Sequence, residues 1–240
     1  MRLPGIAAHV VPEARKIMVP APCCRALWRA WRNGSAPGVG VWRGIGQNGD
    51  MEEVRAGRLL VATPLLGDPN FRRTVVLVVE DEPEEGTLGV ILNRPTKVPV
   101  GRVLEPWTEL ASDPSVVFKG GPVAPNSALG LASVPGPEDP LGWRALDSSV
   151  LRSRIGLLDL DTPPQLVADG IASFRVFVGY AGWGPGQLQA EIDEGAWYVI
   201  AAEPADAFDP EPTRLWQAVL RRAGGALALV ATYPDDPSLN

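Results

Sequence analysis

Residues 74–79 read Thr-Val-Val-Leu-Val-Val. Such an unbroken β-branched and apolar run has no polar face, so it predicts a strand buried on both sides. Around it the chain is cut into short pieces. Residues 57–65 alternate weakly and read as a strand closed by Thr63-Pro64, and Leu66-Gly67-Asp68-Pro69-Asn70 is turn chemistry. Residues 81–86 form a charged, proline-containing hairpin loop. The next strand, 87–92, is closed by Asn93-Arg94-Pro95-Thr96. The proline pushes Arg94 out of the helical region, into an extended or turn conformation. Further short strands are predicted at 116–119, 128–134, 155–160, 174–180 and 196–201. A proline-rich surface loop follows the 128–134 strand, at 135–140.

Helical signals are few. Residues 100–104 suit a single turn, and 186–193 a short helix. Thr162-Pro163-Pro164 carries the threonine cap and first-turn proline of a helix running to Gly170. Residues 213–222 are amphipathic, with Leu215, Trp216, Val219 and Leu220 on one side. Many short strands, few helices and no regular strand–helix alternation predict an α+β fold over a doubly wound α/β one.

Charge divides the chain at Met51. Residues 1–50 hold seven basic side chains against Glu13 and Asp50, whereas residues 51–240 hold 15 basic and 26 acidic ones, a net −11. The first segment also holds the only histidine, His9, both cysteines, Cys23 and Cys24, and a glycine-rich stretch at 34–49 without sustained periodicity. It reads as disorder, with three origins open: an Arg-rich transit peptide, a basic arm for nucleic acid, or upstream DNA translated from a mis-assigned start. The abrupt change at an internal methionine fits the last. Residues 51–240 then form a single domain. Two adjacent cysteines make no disulfide framework, which points to a reducing, cytoplasmic setting. The longest nearly uncharged apolar run, 223–232, is far short of the roughly 20 residues that a membrane helix needs.

The composition after Met51 excludes much chemistry. With no cysteine and no histidine there, cysteine nucleophiles, Ser-His-Asp triads and nearly all zinc sites are ruled out. No G-x-S-x-G elbow and no phosphate loop is present, and no cofactor fingerprint follows from the glycines. The acidic run Glu80, Asp81, Glu82, Glu84 and Glu85 lacks calcium-loop spacing and reads as a solvated loop. Asp159 and Asp161, two apart at a strand end, suit capping of the next helix better than a metal.

One stretch stands out: Gly179-Tyr180-Ala181-Gly182-Trp183-Gly184-Pro185-Gly186-Gln187-Leu188-Gln189-Ala190-Glu191-Ile192. A strand runs into four alternating glycines and then a helix. Glycine lets the backbone approach a neighbour closely. That neighbour is either a ligand, with Trp183 stacking on it and Gln187 and Glu191 sharing a helix face, or another part of the chain, with Trp183 in the core. Gly120-Gly121-Pro122 and Asn93-Arg94 also end strands. The candidate ligand or partner site therefore comprises Asn93, Arg94, Gly120, Gly121, Tyr180, Trp183, Gln187 and Glu191, with the Gly120-Gly121 turn and the 179–191 block expected side by side around the principal pocket. No catalytic and no metal-binding residue is assigned.

These residues also carry a family resemblance. Gly57-Arg58-Leu59-Leu60-Val61-Ala62-Thr63-Pro64, Asp68-Pro69-Asn70-Phe71-Arg72-Arg73-Thr74-Val75-Val76 and Gly89-Val90-Ile91-Leu92-Asn93-Arg94-Pro95-Thr96 resemble the bacterial YqgE/AlgH family. Gly120-Gly121-Pro122-Val123 and the 179–192 block, followed by Ala196-Trp197, look like its other signatures. The resemblance covers residues 55–240, and the end, Asp236-Pro237-Ser238-Leu239-Asn240, is similar to that of actinobacterial members. It implies an α+β domain whose mixed sheet curls into a partial barrel with a few short helices. It implies for function a transcriptional regulator, a label that follows AlgH and alginate regulation, and it carries over no catalytic residue. Two positions depart from the pattern: Glu80-Asp81 stands where many members have Glu-His, and Leu129-Gly130-Leu131 where many have Leu-His.

Two function classes follow. The first is a regulator acting through a protein partner or small ligand, without direct DNA binding, because the domain is acidic and shows no basic recognition helix. The second is a small-molecule binder or enzyme using the Gly-Gly-Pro and Gly-Tyr-Ala-Gly-Trp loops without histidine or cysteine. The composition break at Met51 yields a direct expectation. A chain beginning at Met51 melts at the same temperature as the 240-residue chain, measured by circular dichroism. A fall of several degrees would show that residues 1–50 pack on the domain.

Overall fold

The computed structural model describes residues 54–146 and 154–234; the expectation placed on residues 1–50 lies outside them. Among the described residues ten strands form one mixed sheet: β1 (Arg58–Ala62), β2 (Val75–Glu82), β3 (Gly86–Ile91), β4 (Pro95–Pro99), β5 (Val116–Lys119), β6 (Val123–Val134), β7 (Trp143–Ala145), β8 (Arg154–Leu158), β9 (Ser173–Trp183) and β10 (Trp197–Ala201). The order is β10-β1-β2-β3-β9-β6-β8-β7, with β5 beside β9 and β4 beside β5. Only β5 and β9 run parallel; every other pair is antiparallel. The described residues also form three short helices, α1 (Gln187–Asp193), α2 (Leu215–Ala223) and α3 (Gly225–Val230). The result is the α+β fold expected, a curled sheet forming a partial barrel.

The curl gives the sheet two faces that both need cover. Along β2, Val75, Leu77 and Val79 point into the concave core with Leu59, Val61, Phe118, Leu131 and Phe177. The alternate residues Val76 and Val78 join a second cluster on the outer face, with Leu60, Ile91, Trp183, Leu188 and Trp197. This is why residues 75–79 are all buried. Helix α2 closes the concave side with the four residues its periodicity selects, Leu215, Trp216, Val219 and Leu220. The Trp216 indole N–H donates to the Ala62 carbonyl at 2.8 Å, and Arg222 grips Asp206 with two hydrogen bonds of 2.6 and 2.7 Å. At the other end of the sheet, 3-10 turns at Val100–Arg102, Glu105–Leu110 and Pro164–Leu166 cover the outer face, with Trp107 stacked on Phe174 at 4.7 Å.

Strand β9 is the axis. Phe177 and Val178 pair with β5 on one edge and with Leu129 and Ala128 of β6 on the other. The connection from β5 to β6 therefore crosses from one edge of β9 to the other. It has three residues, Gly120-Gly121-Pro122, between Lys119 and Val123. The two edges are about 9.6 Å apart, and four residue steps span at most about 14 Å, so the chain must lie directly on the β9 backbone. A Cβ on Gly121 would sit 2.1 Å from the Tyr180 carbonyl carbon, and one on Gly179, whose φ is +67°, would sit 2.6 Å from the Gly121 oxygen. Just before the crossing, Gly120 donates its N–H to the Val178 carbonyl and accepts from the Ile91 N–H, both at 2.8 Å; beyond it, β3 takes over as the neighbour of Ala181–Trp183.

Arg175 places a cation in the concave core. Arg175 is 1 % exposed, with its guanidinium 4.3 Å from the Phe118 ring centre. It donates to the carbonyls of Ala207 (3.0 Å), Asp113 (2.8 Å) and Asp209 (3.1 Å). Burial lowers its pKa to about 10, although the charge of Asp209 works the other way. The side chain thus ties two loops to the middle of the sheet.

Several elements differ from the sequence-based expectation. Strand β4 lies where only a turn was predicted, because its two prolines mask an edge strand paired to β5 alone. Strand β7 has three residues, too few for periodicity to show. The 162–170 helix is replaced by two 3-10 turns, Pro164–Leu166 and Ala168–Gly170. Thr162 does not cap them, and its hydroxyl lies where a Gly142 Cβ would stand. Asp159 accepts a hydrogen bond from the Asp161 amide at 3.0 Å and so closes a turn instead of capping a helix. The acidic run is partly engaged: Glu80 pairs with Arg144, and Asp81 accepts from Thr87.

Two outcomes follow for stability. Gly121→Ala forces a methyl group into the β9 backbone and yields unfolded or insoluble protein, whereas Gly136→Ala, which meets nothing within 4 Å, leaves the melting temperature unchanged. Arg175→Met keeps the volume but leaves three carbonyls without their donor, and urea unfolding should show a loss of about 3 kcal/mol or more. A loss near zero would mean that water replaces the guanidinium.

Candidate functional site

The turn at 68–74 begins with an Asp-Pro-Asn pattern, in which the Asp68 carboxylate accepts the Asn70 amide at 2.7 Å. It ends with Arg73 in the left-handed region, φ +57°. That conformation is uncommon for a side chain of this size. A buried amide holds it there: Asn93, 4 % exposed, donates Nδ2–H to the Arg73 carbonyl at 2.8 Å and accepts the Val75 N–H at 3.0 Å. The Thr74 hydroxyl adds a bond to the Phe71 carbonyl at 2.7 Å. Arg72 and Arg73 are thereby placed together where β2 begins and β3 has just ended.

Arg94 arrives at the same place from the end of β3 and donates to the Arg72 carbonyl. Burial, with the neighbouring Arg72 charge in second place, lowers its pKa. The third wall is the start of α2. The Trp216 ring lies under Arg73, whose guanidinium carbon is 4.2 Å from the ring centre. Together Pro69, Arg72, Arg73, Asn93, Arg94, Thr213, Trp216 and Gln217 line a cleft of about 470 Å³. Outside the lining, Lys119 donates from Nζ to the side-chain oxygen of Asn70, the residue after Pro69, at 3.3 Å. Three cations thus line one concavity in a domain whose residues 51–240 carry −11. The arrangement can attract and grip an anion. It offers no thiol and no imidazole, and among the described residues no group of three or more His, Cys, Asp or Glu side chains is placed to hold a metal ion.

The candidate residues fall into three places. Asn93 and Arg94 belong to this cleft, Asn93 as the buried brace and Arg94 as a wall. Gly120, Gly121 and Tyr180 belong to the crossing over β9. The Gly120-Gly121 turn and the 179–191 block do lie side by side, but their contact is chain on chain, and the space the glycines open is filled by backbone. The expectation of a common principal pocket there is corrected accordingly. Trp183, Gln187 and Glu191 form a third group. Glu191 Oε2 accepts the indole N–H groups of both Trp183 and Trp197 at 2.9 Å, while Oε1 accepts from Gln187 at 3.0 Å. Trp183 is 5 % exposed and belongs to the outer core cluster.

Sequence reasoning missed Arg72, Arg73, Thr213, Trp216 and Gln217. The Arg72-Arg73 pair in an acidic domain was the available signal, but its partners lie far along the chain and Trp216 reads as an ordinary helix-face residue. The third group still bears on the cleft. Phe71, next to Arg72, packs its ring against Trp183 at 6.0 Å and edge-on to Trp197 at 5.6 Å. The glycine block thus braces the turn that carries the arginines.

Comparison with known proteins places this architecture. The AlgH-like family model (DUF179) matches residues 59–228. A UPF0301 protein from Streptomyces coelicolor is 60% identical over 188 residues, which cover 77% of this chain and 94% of that protein. A crystal structure of a protein from Corynebacterium diphtheriae superposes with a TM-score of 0.71 at 30% identity, covering 77% of this chain and 95% of that one. The solution structure of the AlgH protein from Pseudomonas aeruginosa does so with a TM-score of 0.54 at 29% identity, covering 75% and 94%. The five sequence blocks, the curled mixed sheet and these matches agree: the chain belongs to the AlgH-like family.

Proposed function

We propose that this protein is a cytoplasmic regulator, of the transcription-control kind its family resemblance implies, that acts through a ligand held in the arginine cleft and does not itself grip duplex DNA. The observation that carries the reading is the cleft: cations gathered in a concavity of about 470 Å³, the size of a small-molecule site, on an otherwise acidic domain. The helix that would have to enter a DNA groove is unsuited to it. The apolar face of α2 is buried against the sheet, and its Arg222 is held by Asp206 and Glu203. No helix among the described residues is long and apolar enough to cross a membrane. The alternative of binding or catalysis on the Gly-Gly-Pro and Gly-Tyr-Ala-Gly-Trp loops has less support, since chain fills the crossing and Trp183 is in the core.

The test is a gel shift with random-sequence duplex DNA at about 150 mM salt, where non-specific binding rests on phosphate neutralisation. The chain beginning at Met51 should give no shift. A clear shift with that chain overturns the reading. A shift confined to the 240-residue chain would assign DNA binding to the basic segment 1–50.

A further inference from the structure

We propose that the arginine cleft is a binding site for a small phosphorylated molecule bearing two or more negative charges, such as a sugar phosphate. This deepens the ligand-dependent reading above and rests on it.

Three features select the chemistry. First, Arg72, Arg73 and Arg94 come from two separate stretches of chain and face one cleft, and the other lining residues among those described, Pro69, Asn93, Thr213, Trp216 and Gln217, add no carboxylate. A guanidinium presents a planar fork of N–H donors that matches the oxygens of a phosphate, and several forks can share one dianionic group. Second, the fold places the arginines together by braces of its own. Arg73 keeps a left-handed backbone under the buried amide of Asn93, and Arg94 is anchored on the Arg72 carbonyl. A non-glycine residue held in the left-handed region is the kind of backbone strain that clusters at ligand sites. Burial first, and the neighbouring Arg72 charge second, lower the pKa of Arg94.

Third, the remaining surface indicates what kind of phosphate fits. The Trp216 N–H is already given to the Ala62 carbonyl, and its ring face is covered by Arg73. Among the residues that line the cleft there is therefore no free aromatic ring on which a nucleobase could stack. Thr213 and Gln217 instead provide a hydroxyl and an amide, groups that pair with ligand hydroxyls. Recognition is concentrated on the phosphate, with a polar, non-aromatic remainder.

The test is calorimetric titration of the 240-residue chain with inorganic pyrophosphate, ribose 5-phosphate and succinate. Both phosphates should bind, more weakly as salt rises, and succinate at least about tenfold less tightly, because a carboxylate offers fewer oxygens to several forks. Arg72→Ala, at an exposed side chain, should fold normally and lose at least about tenfold in pyrophosphate affinity. Arg94→Lys, which keeps the charge but not the fork, should lose most of the binding as well. No heat at millimolar pyrophosphate, unchanged affinity in both variants, or succinate binding equal to phosphate would each overturn the proposal. The chain reaches the cleft at Tyr233 and Pro234, whose carbonyls accept from Arg73, and Asp235 and Asp236 come next in sequence. A double variant, Asp235→Asn with Asp236→Asn, should bind pyrophosphate within about threefold of the native chain. Binding seen only in that variant would make the tail's own carboxylates the occupant and sink the proposal. These outcomes are separate from the gel shift: DNA binding by the Met51 chain overturns the regulatory reading and leaves phosphate binding standing, and the converse holds.

Discussion

Strand β9 changes neighbours halfway along its length because the chain that leaves its β5 edge passes over it without side chains. The crossing at Gly121 and Gly179 leaves no room for a Cβ on either strand. Everything on the far side depends on it: the register of β6, the start of the β6–β8–β7 half of the sheet, and the freeing of the β9 edge for β3. Hydrophobic burial drives both faces of the sheet, but burial is indifferent to which strand sits where. The glycine crossing is what makes one topology available and denies the others room.

The same crossing explains how much of the fold the sequence reveals. Strands β1, β2, β3, β5 and β9 and helices α1 and α2 are legible because their periodicity is strong and their ends carry turn residues. Strand β4 hides behind Pro95 and Pro99, β7 is too short, and α3 opens on Gly224-Gly225, which reads as a break. The glycines themselves are conspicuous, and their requirement for close approach is correctly inferred from residue type. What approaches them is a long-range fact. A single sequence shows an empty place beside Gly121 without showing that Tyr180 and Ala181 fill it.

The cleft is illegible for a related reason. Arg73 and Trp216 are brought together only when α2 closes the concave face and its indole finds the Ala62 carbonyl. Asn93 was visible as a strand-end polar residue, but its role is to hold a neighbouring turn, and that needs the register of β2 against β3. The two parts of the molecule that attracted attention as one site are connected mechanically instead. Glu191 locks Trp183 and Trp197, the two indoles clasp Phe71, and Phe71 sets the base of the arginine turn. A substitution at Glu191 would be felt at the cleft without any direct contact with it.

The bridge over β9 also orders events in time. The residues it spans are synthesised long after the bridge itself, so β5 and β6 leave the ribosome as two edges with nothing between them. The β6–β9 and β5–β9 ladders must wait for a distant strand to arrive, which places the domain among topologies dominated by non-local pairing, whose assembly is slow. Until then the apolar run of β2 has only its local partners, β1 and β3, to shield it. The nascent chain is at its most vulnerable to association with other chains in that interval, and it ends when β9 is in place.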